Sequence, residues 1–291
     1  MERTWKILRT ILVWAICLIS LCPFVILLIL SLDEPGKNMY DIQALIPDFY
    51  LGNYIEGWQK SNISRAMLNS GIITFSSLVM IVIFGAMAGY AVARIPSKFN
   101  KTIYGILLGC MMVPGIIITV PLYTLMIRLK AVNTLWGMSV VLATLAFPQS
   151  VFIFSNFIKA LPKELEEAAM IDGCSQIKAF WHIIFPLLRP SVSAVVILNG
   201  FGIWNNYSQA VFFLQSSDKH NVPQALSVYF QQFAGAHWNL MAATAVIAII
   251  PVVIVFLIFQ KNLIKGLNEG ALKGRNRISI HPAGLTLLLT L

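Results

Sequence analysis

Six long apolar segments dominate this sequence, and none of them contains aspartate or glutamate. They lie at about residues 11–32, 68–93, 103–127, 135–158, 187–213 and 240–260. A transmembrane helix needs about 20 mainly apolar residues, because it must cross the hydrocarbon core with all its backbone polar groups paired internally. The chain is 58% hydrophobic and 11% charged, whereas soluble domains carry about 25% charged residues. The sequence therefore predicts an all-α integral membrane protein with six transmembrane helices.

The first apolar segment follows Arg3, Lys6 and Arg9, which is also how a secretory signal peptide begins. Its apolar run is longer than the roughly 7–15-residue core of a signal peptide, and no A-x-A-like cleavage site follows it. We therefore expect the segment to be retained as the first transmembrane helix, after a short N-terminal region at residues 1–10.

The basic residues predict the orientation of the chain. If the N-terminus lies inside, 15 of the 21 lysines and arginines fall on the cytoplasmic side, as the positive-inside rule requires. Both termini are then cytoplasmic, and the protein is a multi-pass protein of the cell (plasma or inner) membrane. The net charge of +9 follows from basic residues beside apolar segments rather than from one basic patch, so no nucleic-acid partner is predicted.

A polar island at residues 159–190 interrupts the apolar pattern on the predicted cytoplasmic side. Four of the twelve acidic residues lie within nine positions of it: Glu164, Glu166, Glu167 and Asp172. Gly173 can adopt the left-handed conformation that ends a helix, so the island is predicted to form two short helices joined by a turn. Its physics fits insertion into a groove on another protein, and fits equally well a helix lying on the bilayer surface.

The island also resembles the EAA loop of ABC importer permeases, through Glu167-Ala-Ala-x-x-Asp-Gly followed by Ile183-x-x-Pro186 and Pro190. The wider chain, over about residues 5–274, resembles the second permease subunit of the carbohydrate-uptake branch. The further matching pieces are Asn69-Ser-x-x-x-Thr74, Ala88-Gly-Tyr-Ala-Val-Ala-Arg94, Met112-Val-Pro114, Pro121-Leu-Tyr, Asn133-Thr-Leu-Trp-Gly137, Trp204-Asn205 and Gly266-x-x-x-Gly-Ala-x-Lys-Gly274.

This resemblance implies the ABC type I importer permease fold over residues 11–274, with residues 159–190 as the coupling loop. It implies that five residues contact a cytoplasmic ATPase: Glu167, Ala168, Ala169, Asp172 and Gly173. It further implies a heterodimer with a second permease subunit, two ATPase subunits, an extracytoplasmic solute-binding protein and a surrounding lipid bilayer. The cargo is expected to be a sugar or oligosaccharide. Residues 275–291 form a tail to which the sequence assigns no role.

The chain itself is predicted to be non-catalytic and to bind no cofactor. It lacks the G-x-x-x-x-G-K-[ST] loop that cradles nucleotide phosphates, so ATP and magnesium would belong to the partner ATPase. The four cysteines and four histidines lack the spacing of a metal site. A self-contained secondary transporter of a polar solute is the alternative, although proton-coupled carriers usually need ionisable residues within their spans.

Two further groups of residues are candidates for contact with solute or with the binding protein. Asn199, Trp204, Asn205 and Asn206 make the fifth apolar segment unusually polar, which suits either a sugar pathway or hydrogen bonds between helices. Asp218, Lys219 and His220 lie in the predicted outer segment at residues 214–239. The resemblance implies that they contact the binding protein, and a plain solvated loop is the alternative.

Overall fold

The computed structural model describes residues 2–35, 37, 46–231 and 237–277. All the regular structure in these ranges is helical, as predicted. The α-helices are α1 (Glu2–Ser31), α2 (Gly52–Lys60), α3 (Ile63–Arg94), α4 (Lys98–Cys110), α5 (Thr119–Arg128), α6 (Leu135–Ala160), α7 (Glu164–Ile171), α8 (Gln176–Ala179), α9 (Phe185–Leu187), α10 (Arg189–Trp204), α11 (Ala210–Phe213), α12 (Val222–Gln231) and α13 (Trp238–Arg277). A π-helical turn, Phe180–Ile184, joins α8 to α9, and a 3-10 turn, Ser217–Lys219, precedes α12.

Four helices of the described chain are long and apolar enough to cross a membrane: Thr4–Ser31 within α1, Ile63–Arg94, Leu135–Ala160 and Trp238–Ile258 within α13. They coincide with four of the predicted segments. A fifth candidate is the bent pair formed by Gln176–Leu187 and Arg189–Trp204. The structure therefore contains four or five candidate spans. The number six and the cytoplasmic location of the termini stay predictions.

The predicted third span, residues 103–127, is wrong as a single helix. The chain there forms α4, of 13 residues, and α5, of 10 residues, and both are shorter than a membrane crossing requires. The break contains Pro114 and Gly115. A proline has no N–H to donate and disfavours helical backbone in the residue before it, and Gly115 lowers helix propensity further. Hydropathy alone does not register such a break.

The predicted fifth span, residues 187–213, extends too far at its C-terminal end. Helix α10 begins at Arg189, after a bend of 70° from the preceding helical segment, and it ends at Trp204. The π-helical turn lies directly before Pro186, whose ring would collide with the carbonyl four residues earlier in a regular α-helix. As a consequence, Asn205 and Asn206 lie beyond the helix that was expected to contain them.

The chain divides into two compact units. The first comprises Met1–Phe75, Ile118–Val140 and Ile203–Val253, and the second comprises Ser76–Ile117, Val141–Gly202 and Ile254–Leu291. In the first unit, a core cluster contains Ile63, Ala66, Val222, Ala225 and Ala248.

In the second unit, α3 and α6 approach closely at a glycine. A Cβ atom added to Gly89 would lie 2.7 Å from the Cβ of Phe154 and 3.0 Å from the backbone nitrogen of Ser155. Small residues at such positions are how membrane helices pack without a hydrophobic driving force between them.

The ends of the chain match their predictions only in part. None of the apolar window of α1 is buried within the chain, so its surface suits contact with hydrocarbon. Helix α13 continues to Arg277, which includes the first residues of the predicted tail at 275–291. Residues 278–291 of that tail lie outside the described residues.

Candidate functional site

Helix α7 forms the first half of the polar island and carries three acidic residues in its first turn: Glu164, Glu166 and Glu167. Negative side chains stabilise the N-terminus of a helix, where the unpaired backbone N–H groups carry partial positive charge. The helix is only eight residues long, and an isolated helix of that length is unstable in water. It therefore depends on contacts with the rest of the chain.

Glu166 provides the main polar anchor of α7. Its side chain is buried, and its Oε1 accepts a hydrogen bond of 2.6 Å from Nε of Arg94, at the end of α3. Its Oε2 accepts a hydrogen bond of 2.8 Å from the hydroxyl of Tyr90. Arg94 also donates from Nη2 to the carbonyl of Leu161 at 3.0 Å. One buried cluster thus joins α3 to both the start of the island and its first helix.

The predicted coupling residues are not all on one face of α7. Glu167, Ala168 and Asp172 are exposed, whereas Ala169 is 5% exposed and packs within the chain. An exposed position for Glu167 and a buried one for Glu166 follow from the helical turn of about 100° between neighbouring residues. The structure therefore brings four of the five predicted residues, including Gly173, to an accessible surface and makes Ala169 part of the support beneath them.

Gly173 ends α7 in the conformation that the sequence predicts. Its φ is +83°. Its N–H donates to the carbonyl of Met170 at 3.1 Å, and the N–H of Cys174 donates to the carbonyl of Ala169 at 2.9 Å. These two bonds form a Schellman motif, in which glycine is the favoured residue because it has no Cβ to resist the left-handed conformation. An added Cβ would meet no atom within 4 Å, so the backbone conformation, not crowding, selects glycine here.

Three large apolar side chains are exposed around this turn, and the sequence reading did not assign them to the surface. Ile171 is 86% exposed, Ile177 is 73% exposed and Met170 is 49% exposed. Large apolar side chains exposed beside acidic ones suit contact with another protein or with the bilayer surface. We define the coupling surface as the exposed residues of α7 and of its turn into α8: Glu167, Ala168, Met170, Ile171, Asp172, Gly173 and Ile177.

The second half of the island is held by an aromatic cluster. Phe180 is buried, and its ring centroid lies 5.0 Å from that of Tyr90 and 4.9 Å from that of Trp181. Trp181 in turn lies 5.0 Å from Phe185. Phe180 and Ile184 therefore face the interior of the chain, while Ile177 faces outward. Tyr90 serves both the aromatic cluster and the Glu166 anchor.

The predicted pathway residues are divided between the two units. Asn199 belongs to the second unit, where its buried amide bonds to the carbonyl of Val195 at 3.0 Å and to Oγ of Ser150 at 3.4 Å. Trp204 belongs to the first unit and packs against its core cluster. Asn206 accepts hydrogen bonds from Gln209 and Asn221. Asn205 is exposed. Structural hydrogen bonding therefore accounts for Asn199 and Asn206.

The loop with Asp218, Lys219 and His220 is anchored by buried amides. Nδ2 of Asn69 donates to the carbonyls of Asp218 and His220 at 3.0 and 2.9 Å. The side chain of Asp218 is exposed and lies 3.2 Å from the ammonium of Lys219. The backbone of this loop is thus held by Asn69, while the side chain of Asp218 faces outward.

A second asparagine fixes the start of the same loop. Asn133 accepts hydrogen bonds from the backbone N–H groups of Gln215 and Ser216 at 3.1 and 3.0 Å, and donates to the hydroxyl of Ser216. Its own φ of +59° is a left-handed conformation, which asparagine tolerates better than most residues. Asn133 belongs to the motif Asn133-Thr-Leu-Trp-Gly137, and this motif was the signal in the sequence that the residue matters. The motif did not reveal which residues Asn133 contacts.

No group of three or more histidine, cysteine, aspartate or glutamate side chains in the described part of the chain could hold a metal ion. Among the described hydrogen bonds of the coupling surface, none joins a nucleophile to a general base. What the arrangement presents is an anchored surface of exposed apolar and acidic side chains.

Comparison with known proteins places these features in a family. Residues 81–269 match the family described as "Binding-protein-dependent transport system inner membrane component". The chain is 38% identical over 255 residues to the melibiose/raffinose/stachyose import permease protein MelC of Bacillus subtilis, covering 87% of this chain and 91% of MelC. It is 32% identical to the probable starch degradation products transport system permease protein AmyC of Thermoanaerobacterium thermosulfurigenes, covering 92% and 97% of the two chains.

The fold also has a counterpart among solved structures. A crystal structure of a bacterial ABC transporter involved in the import of the acidic polysaccharide alginate contains a chain that superimposes with a TM-score of 0.77. The alignment covers 89% of this chain and 96% of that chain at 19% sequence identity. At this identity the likeness concerns the fold.

Proposed function

This chain belongs to the family of binding-protein-dependent transport system inner membrane components, and from that membership we propose how it works. It is a permease subunit of a binding-protein-dependent ABC importer for sugars or oligosaccharides. It is not an enzyme, because the ATPases of such importers are separate subunits. The alternative of a self-contained secondary transporter is not favoured.

The coupling surface is where we propose that the ATPase binds. Its exposed apolar residues, Met170, Ile171 and Ile177, would enter a cleft of the ATPase. The carboxylates of Glu167 and Asp172 would meet basic or hydrogen-bonding groups at the rim, and the missing side chain of Gly173 would allow close approach. Ala169 would support this surface from within.

The observation that carries this proposal is the buried anchor behind the coupling surface. Because Arg94 bonds to both Glu166 and the carbonyl of Leu161, α7 cannot move away from the end of α3 without breaking a buried ion pair. A displacement of the coupling surface by the ATPase would therefore be passed to α3, one of the candidate spans. ATP and magnesium would act on the ATPase, with no cofactor on this chain.

The remaining partners follow the same reasoning. We propose a second permease subunit, two ATPases and an extracytoplasmic binding protein, in the cell membrane and with both termini in the cytoplasm. The anchored turn with Asp218, Lys219 and His220 would contact the binding protein, since a fixed loop loses little entropy on binding. Among the predicted pathway residues, Asn205 is the one that we retain for solute contact, because it is exposed.

The central test is uptake of a labelled oligosaccharide by cells that depend on this chain. We expect Glu167→Lys and Gly173→Asp to abolish uptake while the amount of chain in the membrane stays normal. Glu56→Lys is the control for charge reversal itself, because Glu56 is a partly exposed glutamate on α2, outside the coupling surface. Its ion pair with Lys60 is a surface pair, whose loss costs little stability. Uptake at the wild-type level by both island variants would refute the coupling assignment.

A second measurement separates the ATPase contact from other defects. The ATPase should co-purify with the tagged wild-type chain and with the Glu56→Lys chain, but not with the Glu167→Lys chain. Ion-gradient-driven transport by the purified chain alone in liposomes would instead establish the secondary transporter.

A further inference from the structure

A small basic cavity opens beside the anchor of the coupling loop, and the proposed coupling mechanism assigns no role to its lysines. It has a volume of about 230 Å³ and lies between the end of α3, the first turns of α4 and the residues that close α6. Its polar lining comes from Arg94, Asn100, Lys101, Tyr104, Lys159 and Lys163. All of these residues belong to the second unit.

The positive charge of this cavity is largely uncompensated. Arg94 is paired with Glu166, but Lys101, Lys159 and Lys163 form no ion pair with any acidic side chain of the described chain. The ammonium of Lys159 lies 4.9 Å from the ring centroid of Tyr104, a cation–π distance that holds it at the wall of the cavity. Three like charges around one small space repel one another, and an anion placed there would relieve that repulsion.

The surroundings of the cavity indicate which anion fits. It lies where the candidate spans α3 and α6 end, the level at which phospholipid head groups meet a membrane protein. Beside its cavity-lining residues, α4 also carries an exposed apolar face. On that face Phe99 is 72% exposed and Ile106 is 60% exposed, and Ile103 lies between them at helical spacing. Such a face suits acyl chains. The volume is below the roughly 300–1,000 Å³ that encloses a whole drug-sized ligand, so it suits a head group alone.

We propose that this cavity binds the phosphate group of an anionic phospholipid, with Lys101, Lys159 and Lys163 as its cationic ligands. Basic pockets between membrane helices bind anionic head groups through such clusters of positive charge. Inorganic phosphate has the same charge chemistry but lacks the acyl chains. The proposal concerns a lipid site and does not depend on which solute is transported.

The test uses the full chain, purified with the subunits that accompany it from membranes containing phosphatidylglycerol and phosphatidylcholine. Native mass spectrometry counts the lipids that each variant retains, and a thermal unfolding scan measures stabilisation by dioctanoyl phosphatidylglycerol and, separately, by inorganic phosphate. The variants are Lys101→Gln, Lys159→Gln and their combination. Lys98→Gln is the control. Lys98 is an exposed lysine of α4, the helix that also carries Lys101, and Lys98 does not line the cavity.

We expect the wild type and Lys98→Gln to retain phosphatidylglycerol in preference to phosphatidylcholine. Each cavity substitution should weaken phosphatidylglycerol binding by about fivefold, and the double variant by about 30-fold, as for lysines at an anionic membrane surface. Equal retention by all variants would overturn the proposal. Stabilisation by inorganic phosphate without lipid retention would also overturn it and would assign the cavity to a soluble anion. Loss of the ATPase from the cavity variants with unchanged lipid retention would overturn it too, and would assign the cavity to a carboxylate of a partner protein.

Discussion

Replacing Glu166 by alanine is the sharpest perturbation of the coupling loop. The substitution removes both acceptors of the anchor, so the hydroxyl of Tyr90 and Nε of Arg94 both lose the carboxylate that accepts from them. The Arg94 side chain is 6% exposed and keeps only its bond to the carbonyl of Leu161. Removing one partner of a buried ion pair destabilises by about 3–5 kcal/mol, because it leaves a charge buried without compensation. This loss of stability would weaken the contact that holds α7 to the end of α3.

Hydrogen exchange of the backbone amides in α7 measures this cost directly. A loss of about 3 kcal/mol in the free energy of local opening corresponds to exchange faster by roughly 100-fold, since a tenfold change is 1.4 kcal/mol. The matched control is Glu167→Ala, which removes a carboxylate from the neighbouring exposed position and should leave exchange in α7 nearly unchanged. Equal exchange in Glu166→Ala and wild type would show that the aromatic cluster, not the ion pair, holds the loop.

Two further variants separate the charge from the hydrogen bonds. Glu166→Gln keeps a side chain that can accept from Nε of Arg94, so its effect on exchange should be smaller than that of alanine. Replacing both Glu166 and Arg94 by methionine removes the buried charges together, and such replacements often restore stability. If that double variant is stable but transports poorly, the ion pair serves transmission of movement rather than folding.

Three other predictions concern the packing and loops. Gly89→Val should lower the yield of folded protein in the membrane, because its side chain would meet Phe154, whereas Gly71→Val, with open space around its Cβ position, should leave the yield unchanged. Asn133→Gly keeps the left-handed backbone but loses the bonds to residues 215–216, so protease cleavage of that loop should increase while α7 exchange does not. Asn69→Leu should weaken cross-linking of the loop at Asp218 to the binding protein; unchanged cross-linking would show that the turn does not need this anchor.

The features that were predictable from the sequence are those fixed by neighbouring residues. The left-handed turn at Gly173 follows from a glycine placed after an acidic helical segment, and the structure confirms it. The four long spans follow from hydropathy alone, because each is a single uninterrupted apolar run. The helix–turn–helix form of the island was predictable for the same local reasons.

The features that were missed depend on distant partners. Glu166 and Arg94 are 72 residues apart in the chain, and nothing in the polar island alone shows which of its glutamates turns inward. One signal was present: Tyr90 and Arg94 are four residues apart at the end of a span, so they share a helix face that can receive a carboxylate. The break at Pro114 was missed because a proline is tolerated within some membrane helices and ends others, according to whether neighbouring groups pair the freed carbonyl.

The neighbouring side chains of Glu166 and Glu167 differ in exposure, the first buried and the second exposed, and this has an evolutionary consequence. Glu166 is bound within its own chain, so a change there can be compensated only by a change at Arg94 or Tyr90 in the same gene. Glu167 makes no such contact with a described residue of the chain, and its proposed partner is encoded elsewhere. Across related importers, we therefore expect Glu166 to covary within the permease and Glu167 to covary with the ATPase. Two adjacent codons would then record the histories of two different interfaces.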